Sequence, residues 1–277
     1  MDIRFTTDRN SYKRMTTEEL KKLYLLDNLF VPDSVSLVYS DIDRSITGSA
    51  VPVAQNLKLE SSKKEMAAEY FLERRELGII NIGANGKVIA DGIEYAMGNK
   101  DGLYLGRGTK EIEFISDVSE EPSKFYFVSY PAHTSYPSKL VHKADSEIVK
   151  LGSQKDANKR TIHKYIQPGL VQTCQLVMGL TELDEGSIWN TMPVHTHQRR
   201  SEVYMYFDLS EEAVLFHLFG EPNETRHFVM RNEQAVLSPS WSIHSGAATQ
   251  NYTFIWAMGG ENQDYNDIDW VAMKDIN

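Results

Sequence analysis

His195-Thr-His197-Gln-Arg-Arg-Ser-Glu202-Val-Tyr-Met-Tyr-Phe207 is the stretch from which the rest of the chain can be read. Its second half alternates with the period of two expected of a β-strand, so Glu202, Tyr204 and Tyr206 share one face and Val203 and Met205 the other. His195 and His197, at i and i+2, likewise point one way, and both imidazoles can reach one ion. Glu202 follows beyond the polar connection Gln198-Arg199-Arg200 and can return a carboxylate to that face. Further on, past Pro239, stands His244, where another strand of a small barrel could bring a third imidazole. Three neutral nitrogen donors and one carboxylate suit a borderline divalent ion such as zinc, manganese, iron, cobalt or nickel. With four protein ligands, coordination must expand to admit substrate oxygens.

Outward from this stretch the chain reads mainly as short strands. Gln172–Leu180, Ala213–Leu218, His227–Arg231, Ala235–Leu237 and Thr253–Met258 are apolar runs separated by turn residues. In the first half, Gly78–Gly83 runs into Asn85-Gly86, a favoured type I′ pair, and Lys87–Ala90 is expected to return as its hairpin partner. Asp91-Gly92 marks another turn. This spacing predicts a sandwich or barrel rather than a parallel α/β sheet. The exception is near the start, where Thr16 and Glu19 form a capping box ahead of Leu20, Leu23, Tyr24 and Phe30 at helical spacing.

The two halves repeat an order of features. A glutamate (Glu76; Glu202) opens a strand, a hairpin follows, and an apolar strand leads into a turn at 106–110 or 239–244. Between about His142 and Arg160 the composition turns polar, which suggests a linker. The expected division is a helical segment at 1–30, a first barrel at 31–150 and a second, metal-binding barrel at 151–277.

Length and composition bound the functions available. At 277 residues the chain can bury a core without disulfides, and its one cysteine, Cys174, cannot form one internally. Against 29 Lys and Arg stand 39 Asp and Glu, a net charge of −10. Such a chain repels phosphate backbones and anionic membranes, so neither nucleic acid nor a membrane is an expected partner. The polar start and the lack of a long apolar run lead to a cytoplasmic expectation. Phosphate-loop, nucleophile-elbow and Cys-x-x-Cys patterns are all missing.

Several other residues are candidates for chemistry. Tyr204 and Tyr206 could orient a hydroxylated substrate or shuttle a proton, or could simply fill the barrel. Arg199 and Arg200 could bind a carboxylate, or be exposed loop arginines. Glu182 stands on a strand of undetermined orientation. His217, His227, His133, His142 and His163 lack partners at ligand spacing and are read as core or interface histidines.

The His-x-His-x4-Glu…His arrangement resembles the metal motif of the cupin superfamily of small β-barrels. The duplication then looks like a bicupin whose first barrel has lost its ligands: no His-x-His precedes Glu76, and Lys110 stands near the place of the last histidine. More specifically, the chain resembles the 5-keto-4-deoxyuronate isomerases, ketol-isomerases of pectin and uronate breakdown. The likeness rests on Phe71–Gly83, Trp189-Asn-Thr-Met-Pro-Val-His-Thr-His-Gln-Arg-Arg200, Pro239-Ser-Trp-Ser-Ile-His-Ser-Gly246 and Thr253–Gln263. Gln198, where an acidic residue is expected, and Ser201, where a methionine is, depart from the pattern.

That resemblance implies one zinc ion per subunit held by His195, His197, Glu202 and His244, a hexamer and a cytoplasmic enzyme. It also implies a uronate substrate, 5-dehydro-4-deoxy-D-glucuronate, isomerised through an enediol to 3-deoxy-D-glycero-2,5-hexodiulosonate. From the chemistry alone, Glu182, Tyr204 or Tyr206 could move the proton, and Arg199, Arg200, Arg160 or Lys164 could hold the carboxylate. Two other readings stand beside it: a different metal cupin such as an iron dioxygenase, and a bicupin that binds a sugar acid without turning it over.

Overall fold

Thr16 caps the N-terminal helix as its sequence predicts. Its Oγ1 accepts from the Glu19 backbone N–H at 3.3 Å, and Glu19 Oε2 accepts from the Thr16 N–H at 2.7 Å. The helix, Thr17–Tyr24, buries Leu20 and Tyr24. It does not run on towards Phe30, whose φ is +57°. Instead Leu25 turns extended, and Leu25–Leu26 pairs with Val236 and Ala235 as a sheet edge. The computed structural model describes residues 1–61, 63–261, 263 and 267–277. Asn262, within the last stretch quoted above, lies outside them.

The remainder is mainly β, in two units. The first comprises Met1–Ile3, Asn28–Ser146 and Tyr165–Met178; the second comprises Arg4–Asp27, Glu147–Lys164 and Gly179–Asn277. One seven-stranded sheet runs Asp2–Arg4, Val35–Ser40, Ile46–Ala50, Phe125–Pro131, Arg75–Asn81, Gly102–Leu105, Lys139–Val141 in spatial order. A four-stranded sheet (Leu57–Lys58, Ile112–Ser116, Gly86–Ala90, Ile93–Met97) closes over it, and Leu77, Ile79, Val88, Phe114 and Phe127 share the core between them. The second seven-stranded sheet runs Glu147–Leu151, Arg160–Ile166, Val177–Leu183, Thr253–Gly260, Arg200–Phe207, Gln234–Ser238, Leu25–Leu26. With it go a three-stranded sheet (Glu224–Met230, Leu215–Glu221, Ser245–Ala248) and the short pair His195–Thr196 with Asp269–Trp270. Among the described residues no helix is long and apolar enough to cross a membrane.

Three local expectations are corrected. Asn85-Gly86 is not a hairpin turn. Arg75–Asn81 pairs with Phe125–Pro131 and Gly102–Leu105, whereas Gly86–Ala90 belongs to the other sheet. Asn81 makes the corner: its amide donates to the carbonyls of Ala84 and Met97, and its Oδ1 accepts from the Gly83 N–H. The type I′ turn is at Asp91-Gly92, with φ of +49° and +80°, joining Ala90 to Ile93. The polar segment read as a linker contains the strand Glu147–Leu151, whose outer position leaves most of its residues exposed.

The third correction concerns the internal repeat. Glu202 pairs with Ser238, the last residue of its strand, and Leu77 pairs likewise with Leu105. Leu77, not Glu76, therefore occupies in the first unit the inward position that Glu202 holds in the second. A one-residue phase difference turns a side chain to the other face. Glu76 faces away from the core, where it accepts from Tyr104 OH and from the backbone N–H groups of Cys174, Gln175 and Leu176 at 2.7–2.9 Å.

Candidate metal centre and its cavity

His195, His197, Glu202 and His244 converge in the second unit, one ligand atom from each lying within 4.8 Å of the others. All four are buried. His197 precedes the tight turn at 198–199, Glu202 lies in the strand Arg200–Phe207 that follows it, and His244 follows the strand Gln234–Ser238 that pairs with Glu202. His197 Nε2 approaches Glu202 Oε2 at 3.0 Å, His244 Nε2 approaches the same oxygen at 2.9 Å, and His195 Nε2 is 3.1 Å from His244 Nε2.

Protonation follows from the outer partners of the rings. His197 Nδ1 is 2.8 Å from the Arg200 carbonyl, and His244 Nδ1 is 3.3 Å from that of Ser242. Carbonyls only accept, so each Nδ1 carries the proton and each Nε2 presents a lone pair. Two lone pairs and a carboxylate oxygen then meet at close range with no proton between them. A cation relieves that repulsion. Donors bound to one ion at roughly 2.0–2.2 Å lie about 3–4 Å apart, and the three contacts between these residues, at 2.9–3.1 Å, lie near the lower end of that span. Burial, with the His244 imidazole beside it, pulls His195 down to about 2. The donor set fits a divalent metal ion.

A cavity of about 280 Å³ opens over the cluster. Its wall includes Arg160, Lys164, Tyr204, Trp256 and Trp270 beside His195, His197 and Glu202. Trp270 sets its ring 5.2 Å from that of His195, edge to face. Trp256 can lie flat along its neighbour strand only because residue 179 is glycine: a Cβ there would come 2.1 Å from the indole. The indole Nε1 donates to Thr181 Oγ1 at 3.1 Å, which fixes the ring as a wall of the cavity.

Residues 31–274 match the KduI/IolB family. The chain belongs to that family. Full-length KduI/IolB relatives include the 4-deoxy-L-threo-5-hexosulose-uronate ketol-isomerase of Caldicellulosiruptor bescii, 55% identical over 276 residues, and that of Salmonella newport, 50% identical over 277; each match covers 100% of both chains. Among solved structures, an IolB-like protein from Salmonella typhimurium superposes with a TM-score of 0.67 at 13% identity, covering 82% of this chain and 87% of that one. Oxalate decarboxylase from Lactobacillus farciminis follows with a TM-score of 0.56 at 11% identity, covering 82% and 79%. These likenesses place this KduI/IolB chain in the bicupin fold.

The remaining sequence candidates are spread unevenly. Tyr204 faces the cavity, its hydroxyl 2.9 Å from Thr191 Oγ1, and burial raises its pKa well above the usual value. Tyr206 lies below it, outside the cavity lining, with its hydroxyl 2.7 Å from His217 Nδ1. Glu182 points to the opposite face from its neighbour Thr181 and meets His163 Nε2 at 3.2 Å, away from the cluster. Arg199 is exposed, 3.7 Å from Glu261. Arg200 is fully buried and binds Asp267 through Nε at 3.1 Å and also through Nη2. Arg160 and Lys164 line the cavity; Arg160 Nη1 donates to the Asn158 carbonyl at 2.9 Å, and Lys164 meets Glu147 at 2.7 Å. Of the other histidines, His217 and His163 are buried, while His227, His133 and His142 are exposed.

Some contributors are not among the sequence candidates, although Asn190 and Thr191 fall within the Trp189–Arg200 stretch. Asn190 accepts from the Gly246 N–H at 2.7 Å and so braces the segment just after His244. Thr191 partners Tyr204. Trp270 arrives by pairing of Asp269–Trp270 with His195–Thr196, a contact between residues 75 positions apart that no local pattern announces.

Proposed function

We propose that this chain is a metal-dependent ketol-isomerase that interconverts 5-dehydro-4-deoxy-D-glucuronate and 3-deoxy-D-glycero-2,5-hexodiulosonate in uronate catabolism. The observation that carries this reading is the convergence of three imidazoles and a carboxylate beneath a cavity, in a chain 50–55% identical throughout to ketol-isomerases. His195, His197, Glu202 and His244 would hold the ion, and the buried nitrogen-rich donor set favours zinc. When bound, a divalent ion supplies Lewis acidity towards a carbonyl and its neighbouring hydroxyl.

The reaction moves a proton from C2 to C1 and the carbonyl from C1 to C2, through a cis-enediol. Tyr204 suits the oxygen side of this exchange. A phenol whose burial keeps it neutral is a hydrogen-bond donor to a developing oxyanion and a poor base towards a C–H bond. Thr191 Oγ1 holds that hydroxyl in place. In the same cavity wall, Arg160 and Lys164 offer cations for the substrate carboxylate. Trp256 and Trp270 exclude water from that wall. Tyr206 supports Tyr204 from below rather than meeting substrate. A hexameric, cytoplasmic state is part of the same proposal, supported by the family likeness.

The test is a ketol-isomerisation assay on the uronate with chelator-treated protein, followed by metal restoration. Activity that disappears with the chelator and returns with zinc is expected. Oxygen consumption during turnover would instead favour a dioxygenase, and binding without turnover by the metal-loaded protein would favour a sugar-acid-binding bicupin.

A further inference from the structure

Arg75 stands in the first unit where Arg200 stands in the second. Each lies two residues before the inward position set by pairing to the end of the neighbouring strand, Leu77 to Leu105 and Glu202 to Ser238. Both arginines are buried, at 8% and 1% exposure. Arg200 has the carboxylate of Asp267. Among the described residues Arg75 has no carboxylate. Its Nε donates to Ser129 Oγ at 3.0 Å, and Nη2 donates to the carbonyls of Arg44 and Ser129 at 2.7 and 2.8 Å. Neutral acceptors satisfy N–H groups without neutralising the charge, and Nη1 is left over. Burial draws the Arg75 pKa down to about 10, which still leaves it a cation at neutral pH. A buried charge without a counter-ion is costly, so a fold that keeps one invites a ligand to neutralise it.

Beside Arg75 lies a cavity of about 390 Å³. Its wall draws Tyr39, Ile46, Pro131 and Arg75 from the strands Val35–Ser40, Ile46–Ala50, Phe125–Pro131 and Arg75–Asn81. Those are four consecutive neighbours in their sheet. The cavity over the metal cluster is walled from Arg160–Ile166, Val177–Leu183, Thr253–Gly260 and Arg200–Phe207, the corresponding four neighbours of the other sheet. Among the described residues the first barrel thus lacks the metal donors but has a cavity at the same place in its sheet. Two exposed cations, Lys64 and Arg74, stand at its rim, and Glu65 in the same lining is engaged by the Met1 amino group at 3.1 Å.

We propose that the first barrel is a second ligand site, in which Arg75 binds the oxyanion of a small metabolite through its spare Nη1–H, with Lys64 and Arg74 drawing the anion in. A carboxylate and a phosphate share this chemistry. Inorganic phosphate and D-glucuronate therefore serve as separate probes in titration calorimetry of the metal-loaded protein. The expected result is a stoichiometry one per chain lower in Arg75→Met than in the unmodified protein for whichever probe is preferred. The double variant Lys64→Gln/Arg74→Gln alters only exposed side chains. It should weaken this binding severalfold while leaving isomerase activity unchanged. A preference for phosphate identifies a phosphorylated ligand, and a preference for glucuronate a sugar acid. Equal stoichiometry in Arg75→Met, unchanged affinity in the double variant, or no binding of either probe at millimolar concentration would overturn the proposal.

Discussion

The Tyr206 hydroxyl and His217 Nδ1 meet at 2.7 Å in the interior of the second unit, beneath the candidate metal centre. Burial, with His244 nearby, pulls His217 down to about 3 from its usual 6.5, so the ring is neutral in the folded protein over most of the accessible pH range. The unfolded chain takes up this proton near 6.5 and the folded one only near 3. Stability from this group is therefore intact above about pH 6.5 and is lost progressively as the pH falls towards 3. Replacing His217 by Gln should shrink the drop in Tm between pH 7 and pH 4.5. Equal drops in variant and parent would show that the buried imidazole does not carry this acid sensitivity.

His244→Ala should lose both bound metal and isomerase activity, because it removes one of the imidazoles that meet Glu202 Oε2. Metal analysis after dialysis, read together with turnover, checks the two losses in one sample. Turnover at the parental rate would remove the metal mechanism altogether.

Tyr204→Phe keeps the ring and deletes the hydroxyl that Thr191 positions. If the phenol donates to oxygen as charge develops, kcat should fall by about 100-fold with metal content unchanged. A fall in metal content alongside kcat would mean that the tyrosine organises the ligands instead.

Arg160→Met should leave kcat nearly intact and raise KM about tenfold or more, the expected cost of losing a charge-assisted hydrogen bond to a carboxylate. Arg199→Met is the control, since that side chain is exposed beside Glu261 and outside the cavity lining. Equal effects from the two substitutions would sink the assignment.

Thr16→Ala breaks the capping box at the start of Thr17–Tyr24 and should lower unfolding stability by about 1 kcal/mol without changing turnover. Denaturant unfolding with parallel assays measures both.

The donor set was legible because its signal is local and periodic: an i, i+2 histidine pair, a glutamate a short turn later, and a histidine beyond a neighbouring strand. Face and phase were harder to read. Glu182 and Glu76 are each one residue away from an inward position, and strand periodicity does not say which of two faces is inward. Asn85-Gly86 carries the composition of a hairpin turn, yet the side chain of Asn81 turns the chain into the other sheet first. Arg200 and Arg199 look alike as letters, but alternation buries one against Asp267 and leaves the other in solvent. Trp270 reaches the cavity only through tertiary pairing.

Leu25–Leu26 forms the outermost strand of the sheet that carries Glu202. The family match begins at residue 31, after that strand. A chain shortened to the matched region would leave Gln234–Ser238, which is paired on its other side to the Glu202 strand, as a bare edge with unpaired N–H and C=O groups. Bare edges recruit other chains. Leu25–Leu26 therefore covers an edge that another chain could otherwise pair with, and a chain begun at residue 31 would expose that edge without losing a single residue of the metal cluster.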